Sequence, residues 1–197
     1  NPKEYNGYKA YWEDGGQLVS PHDKNVITEV EKITDFSMVN FNVNNDLIEY
    51  LDEKFDEIYI NKILGLSLSP ESIKNQKDLV FVYTPIHGTG GQIIPKLFSK
   101  AGFNNVYSVE EQMIVDGNFP TVVSPNPEEK AALTLAIEKA KEVNADVVLA
   151  TDPDADRVGI AVKDENGEFV LLNGNQTAAL LTYYLLTRWS ELGKLTG

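Results

Sequence analysis

Apolar and polar positions follow three different rhythms along the 197 residues. Near the start, residues 8–12 form a short strand-like run closed by Asp14-Gly15-Gly16, with 17–19 as its hairpin partner. Ser20-Pro21-His22-Asp23 predicts a helix start, with Ser20 as cap and Pro21 in the first helical position. Val26, Ile27, Val30 and Ile33 give that helix one buried face. A second helical rhythm runs from an Asp46 cap through Leu47, Ile48, Leu51, Phe55 and Ile58. Glu49, Asp52, Glu53, Asp56 and Glu57 lie mostly on its other face and read as solvated. Residues 66–77 read as a connection.

From residue 78 the apolar run becomes continuous. Leu79-Val80-Phe81-Val82-Tyr83 is the pattern of a parallel strand covered on both faces. A Gly-rich turn follows, then a helix over 91–101 capped by Gly102, and a strand over 105–109. A long loop, 110–126, leads to a helix over 127–143, with Pro127, Glu128 and Glu129 suited to its first turn. A strand over 146–150 completes a β-α-β-α-β order. Beyond an acidic loop at 151–157, strands 158–163 and 168–172 flank Asn166-Gly167, a strong hairpin signal. The last element is a helix over 177–189, with Ala178, Leu181, Leu185 and Trp189 on one face and Leu180 and Tyr184 broadening it. That apolar face calls for a surface to pack on, within the chain or on another copy. The fold class predicted is α/β: a mostly parallel sheet with flanking helices.

Composition narrows the function classes. Hydrophobic residues make up 42%, enough to bury a core. Thirty Asp and Glu against 17 Lys and Arg give a formal net charge of -13, which argues against nucleic acid or an anionic membrane as partner. With no Cys, a disulfide framework, a thiolate metal site and a Cys nucleophile are excluded. No apolar run approaches the roughly 18–20 residues that span a bilayer, and no basic-then-apolar signal segment opens the chain. The expected location is cytoplasmic. Asn1-Pro2-Lys3-Glu4-Tyr5-Asn6-Gly7 is turn chemistry from the first residue, without an initiating Met, so the chain reads as an excised piece.

The strongest chemical signal is Asp152-Pro153-Asp154-Ala155-Asp156-Arg157, directly after a buried strand. On an extended backbone, residues i, i+2 and i+4 share one side, so three carboxylates converge. Oxygen donors alone favour Mg²⁺, Ca²⁺ or Mn²⁺ over zinc, and a cation would relieve their mutual repulsion. The carboxyl end of a parallel strand is also where open α/β sheets place ligands. The competing reading is a solvated acidic loop. An EF-hand starting at Asp152 fails, because Arg157 and Lys163 stand where Gly and Glu are needed. A haloacid-dehalogenase-type phosphatase expects Thr where Asp156 stands and remains as runner-up. Arg157 either neutralises the carboxylates or binds a phosphate with its planar fork. His87-Gly88-Thr89-Gly90-Gly91 joins a strand to a helix, which suits either a phosphate at the helix N-terminus or a tight turn without ligand. It is neither a P-loop nor a full dinucleotide fingerprint, since Ile93 stands at the third glycine position. His87 reads as a structural hydrogen-bonding residue.

Taken together, these strings resemble a known family. DPDADR looks like the metal-binding loop of the α-D-phosphohexomutases, the phosphoglucomutase/phosphomannomutase family. NPKEYNGYK is similar to the stretch that follows that family's phosphoserine, in the form Thr-x-Ser-His-Asn-Pro with Asn-Gly-x-Lys beyond it. YTPIHGTGG and DGNFPTVVSPNPEE resemble the phosphoglucomutase/phosphopentomutase branch. The resemblance implies a four-domain isomerase that interconverts hexose 1-phosphate and hexose 6-phosphate through a phosphoserine and a bisphosphate. By position, it implies Asp152, Asp154 and Asp156 as Mg²⁺ ligands, Arg157 at the transferring phosphate, and Lys9 as a general acid or base. The substrate implied is a phosphosugar. The Ser-His pair, the sugar-selecting loop of domain 3 and the phosphate-gripping loop of domain 4 are not among these residues. The expected organisation is therefore 1–45 from the end of domain 1, 46–173 as domain 2, and 174–197 from the start of domain 3, a piece inactive by itself. A metal-dependent phosphatase and a non-catalytic binding module are the alternatives.

Overall fold

A computed structural model describes residues 9–195. Its described backbone divides into two compact units, 9–52 and 53–195. The expected turn at Asn1–Gly7 and the residue Tyr8 lie outside the described residues.

In the N-terminal unit, the expected hairpin is a single antiparallel bridge between Tyr11 and Gln17, around a turn at Gly15. Helix α1 (His22–Val30) follows a cis Ser20–Pro21 peptide. Ser20 does not cap it: Pro21 occupies the cap position and makes no side-chain bond. The face expected to be buried is not, because Val26, Ile27, Val30 and Ile33 are each about half exposed. The helix expected from Asp46 does not start there. Asn44 accepts a hydrogen bond from the Asp46 N–H, and the chain closes a single 3₁₀ turn at Asn45–Leu47. Such short side-chain-to-backbone bonds compete with helix propagation.

The second unit is built on a five-stranded sheet. Its strands are β1 (Val80–Thr84), β2 (Asn105–Ser108), β3 (Val147–Thr151), β4 (Val158–Lys163) and β5 (Phe169–Leu172), in the order β2-β1-β3-β4-β5. The first three strands pair in parallel; β3–β4 and β4–β5 pair antiparallel, so the sheet is mixed. Period-two alternation along β1 assigns its two faces. Phe81 and Tyr83 meet Phe98 of helix α4 (Gly90–Ala101), and Phe81 stacks edge-on against Phe103. Val82 belongs to the opposite layer, with Val148, Ala132, Leu133, Ala136 and Ala140. The last two lie in α5 (Thr134–Glu142). Helices on both faces explain why β1 reads as an unbroken apolar run. Gly102, in the left-handed conformation, ends α4 as expected.

Several elements depart from expectation. Helix α2 (Glu53–Leu64) starts later than the Asp46 rhythm predicts, and Ile60 is its buried residue while Phe55 and Ile58 are exposed. Its acidic side is not simply solvated: Asp56 pairs with Lys96 at 2.9 Å and Glu57 with Lys100, both from α4. The connection at 66–77 contains a short helix, α3 (Pro70–Asn75). The helix expected over 127–143 begins only with a 3₁₀ turn at Lys130–Leu133, because Pro127 is held elsewhere. A Cβ on Gly159 of β4 would stand 2.1 Å from the Pro127 carbonyl oxygen, so strand and loop backbones are in direct contact there.

Helix α6 (Gly174–Glu191) is longer than predicted at both ends. Asn173 and Gln176 form a reciprocal capping box at its start. Tyr184 donates to Ser69 Oγ at 2.9 Å, and Arg188 donates to the Leu68 carbonyl. Leu181, Leu185 and Trp189 nevertheless stay exposed. Among the described residues, no helix is long and apolar enough to cross a membrane.

Candidate metal centre

Strand β3 ends at Thr151 and β4 starts at Val158, paired with it across the ladder. The acidic loop between them is a tight turn, not the extended segment the alternate spacing suggested. Ala155 N–H donates to the Asp152 carbonyl at 3.0 Å, and Ala155 itself sits at φ 59°. This left-handed residue reverses the chain, which is uncommon for a side chain other than Gly, Asn or Asp. The turn brings one carboxylate oxygen from each of Asp152, Asp154 and Asp156 within 4.8 Å of one another. Convergence thus comes from the reversal rather than from strand alternation.

The three carboxylates differ in setting. Asp152 is 2% exposed, while Asp154 and Asp156 face solvent. Arg157 anchors Asp152 twice: its backbone N–H donates to Oδ1 and its Nε to Oδ2, each at 2.9 Å. The guanidinium's pKa is raised, first by the hydrogen bond to Asp152 and then by the charges of Asp152, Asp156 and Glu128. Arg157 Nη1 also reaches Asn126 Oδ1 at 3.4 Å. A carboxylate has about four lone-pair positions, so two bonds from Arg157 leave Asp152 able to accept a cation. The donor set is oxygen only, anionic and partly exposed, which fits a hard divalent cation such as Mg²⁺. Lys9 is exposed and belongs to the N-terminal unit, whereas Asp152, Asp154, Asp156 and Arg157 belong to the sheet-bearing one.

Three backbone N–H groups of the Gly-rich turn already have acceptors. His87 N–H donates to the Gln112 carbonyl, Gly88 N–H to Pro85 and Thr89 N–H to Pro153, each at 2.9 Å. The turn carries Ile86 at φ 47° and His87 at φ 62°, an unusual conformation for a β-branched residue in particular. A directed chain of side chains surrounds it. Ile86 N–H donates to Thr84 Oγ1 (3.1 Å), and the Thr84 hydroxyl donates to Gln112 Oε1 (2.6 Å). Gln112 Nε2 donates to Thr121 Oγ1 (2.9 Å), whose hydroxyl donates to His87 Nε2 (2.9 Å). With the imidazole neutral, the last link, His87 Nδ1 to the Ile114 carbonyl at 2.9 Å, fixes the direction, because a carbonyl can only accept and Nε2 is then the ring's acceptor. His87 is thus buried and hydrogen-bonded through both ring nitrogens. Among the described residues, no buried side-chain nitrogen or oxygen lacks a partner.

Sequence reasoning missed three supports of the loop: Thr89 on Pro153, Asn126 on Arg157, and Pro127 on Gly159. Asn126 and Pro127 sat inside a recognisable string, but nothing in that string pointed to residues roughly thirty positions away.

The family described as "Phosphoglucomutase/phosphomannomutase, alpha/beta/alpha domain II" matches residues 57–167, and its domain I counterpart matches 1–36. The chain is 40% identical over 192 residues to a "Probable phosphomannomutase" of Haemophilus influenzae, covering 96% of this chain and 38% of that protein. It is 40% identical over 190 residues to a "Phosphoglucomutase" of Staphylococcus haemolyticus (94% and 34%). It is 36% identical over 199 residues to a "Phosphopentomutase" of Homo sapiens (97% and 32%). The chain thus spans about a third of the length of these relatives. With the domain II pattern covering more than half of its residues, the chain belongs to the phosphoglucomutase/phosphomannomutase family.

Proposed function

We propose that this chain supplies the cation-holding part of a phosphosugar mutase, which interconverts hexose 1-phosphate and hexose 6-phosphate through a phosphoserine and a bisphosphate. Asp152, Asp154 and Asp156 hold Mg²⁺. When bound, the cation supplies charge stabilisation for phosphate transfer. Arg157 has two tasks: it orients Asp152 through Oδ1 and Oδ2, and its exposed guanidinium meets the phosphate of the substrate. Lys9 holds or moves a proton at Nζ near the phosphoserine. The family's names for its members point to phosphosugars as the substrate class. By the same reading, 1–45 belongs to domain 1, 46–173 is domain 2 and 174–197 opens domain 3.

The convergence of three carboxylates at the end of β3, on a chain of this family, carries the proposal. Calorimetric titration with Mg²⁺ tests it. Wild type is expected to take up the cation and Asp154→Ala to lose at least about tenfold in affinity. Equal heats for the two proteins would overturn the reading. No Thr-x-Ser-His string lies among the 197 residues, so the purified chain is expected to show no mutase turnover. Conversion of glucose 1-phosphate to glucose 6-phosphate by that chain would contradict the assignment of the phosphoserine.

A further inference from the structure

The acidic loop is gripped from outside by the Gly-rich turn. Thr89 places two donors on one acceptor: its N–H reaches the Pro153 carbonyl at 2.9 Å and its Oγ1 reaches the same oxygen at 3.1 Å. Pro153 stands between Asp152 and Asp154 and has no N–H of its own, so this carbonyl is its only backbone hydrogen-bonding group. Two donors occupy both of its lone pairs.

The surroundings fit this grip closely. A Cβ on Gly88 would stand 2.4 Å from Pro153 Cα and 2.7 Å from its carbonyl oxygen, so a glycine is required for the turn to come this near. A Cβ on Gly90 would stand 2.6 Å from the Tyr83 hydroxyl and 2.9 Å from Thr151 Oγ1. Those two hydroxyls bond each other at 2.9 Å and fix the residue just before Asp152. Behind the turn, the Thr84–Gln112–Thr121–His87 chain holds Ile86 and His87 in their left-handed conformation.

We propose that Thr89 is a positioning residue for the acidic loop, its two bonds to the Pro153 carbonyl setting where Asp152 and Asp154 stand. Its consequence for cation affinity rests on the cation-holding reading given above. Thr89→Val keeps the shape and the backbone bond but removes the hydroxyl; Thr89→Ser keeps both donors.

Rapid-quench amide hydrogen exchange on the full chain, without metal, tests the placement directly. In Thr89→Val, the 152–157 segment is expected to exchange about fivefold to tenfold faster, the loss of one hydrogen bond. This includes the Ala155 and Arg157 amides, which bond to Asp152. Segments from β1 and α5 should be unchanged, and Thr89→Ser should behave as wild type. Unchanged exchange at 152–157, an equal acceleration everywhere, or failure of Thr89→Ser to restore protection would each overturn the proposal. Titration with Mn²⁺ then reads the consequence: Thr89→Val is expected to bind about fivefold to tenfold more weakly than wild type or Thr89→Ser. If wild type shows no Asp154-dependent Mn²⁺ uptake, the cation reading fails, while the exchange result still decides the placement.

Discussion

Helices α1 and α5 carry similar apolar spacing and meet different fates. Around α5, Leu133, Ala136 and Ala140 are fully buried against β1 and β3. Along α1, Val26, Ile27, Val30 and Ile33 are about half exposed. Periodicity marks which side of a helix is apolar; burial also requires a surface within reach. For α5 that surface is the sheet, where β1 and β3 pair side by side although β2 separates them in sequence. For α6, the capping box and the bonds to Leu68 and Ser69 define the helix while Leu181, Leu185 and Trp189 stay exposed.

The contrast can be tested by substitution, starting where the effect is largest. Leu133→Ala removes a fully buried side chain and is expected to lower the unfolding free energy by about 2–5 kcal/mol, read by urea denaturation. A cost near zero would mean that the α5 layer does not carry the fold. Gly159→Ala forces a Cβ against the Pro127 carbonyl and is expected to cost about 1–3 kcal/mol. If stability is instead unchanged, the contact between β4 and the 124–129 loop is not as drawn.

Tyr83 gives a pH-dependent test inside the sheet. Burial pushes its hydroxyl up to about 12, against 10.0 for a free tyrosine, and the bond to Thr151 opposes this only in part. The folded state therefore keeps a proton that the unfolded chain releases. Tyr83 contributes fully below pH 10, and its contribution is lost as pH rises from about 10 towards 12. Denaturation curves between pH 9 and about 11.5 should show that loss in wild type. In Tyr83→Phe it should be absent, and stability at neutral pH should fall by about 1 kcal/mol from the missing hydrogen bond. A Tyr83→Phe protein with the same alkaline slope as wild type would remove Tyr83 as its source.

Two smaller effects complete the series. Ala155→Gly relieves a left-handed residue in the acidic loop and is expected to raise the melting temperature slightly, by up to about 1 kcal/mol in free energy. A clear drop would mean that Ala155 is not strained. Val30→Ala on α1 is expected to change stability by less than about 0.5 kcal/mol. A cost matching that of Leu133→Ala would erase the difference between the two helices.

The core of the second unit was legible because its signals are local. The continuous apolar run of β1, the glycine ending α4 and the Asn166-Gly167 turn each specify their element within a few residues. The acidic cluster was legible for the same reason, though its geometry was not. An extended strand and a left-handed reversal at Ala155 gather the same three residues, and alanine does not advertise the second. The start of α5 was misplaced because Pro127 and Glu128 suit a helix by composition, while Pro127 is drawn onto Gly159 of β4. The Thr89–Pro153 clamp joins residues 64 positions apart and leaves no local mark in the chain.

The pairing of Thr151 with Val158 has a further consequence. Both ends of the acidic loop are anchored in one ladder, about one strand spacing apart. The entropy of closing a loop is met whenever its ends are brought together. Here that happens as β3 and β4 pair, before any ligand arrives. A cation entering the loop would then find its three carboxylates on a short, already closed span, and the adjustment it asks for is confined to residues 152–157.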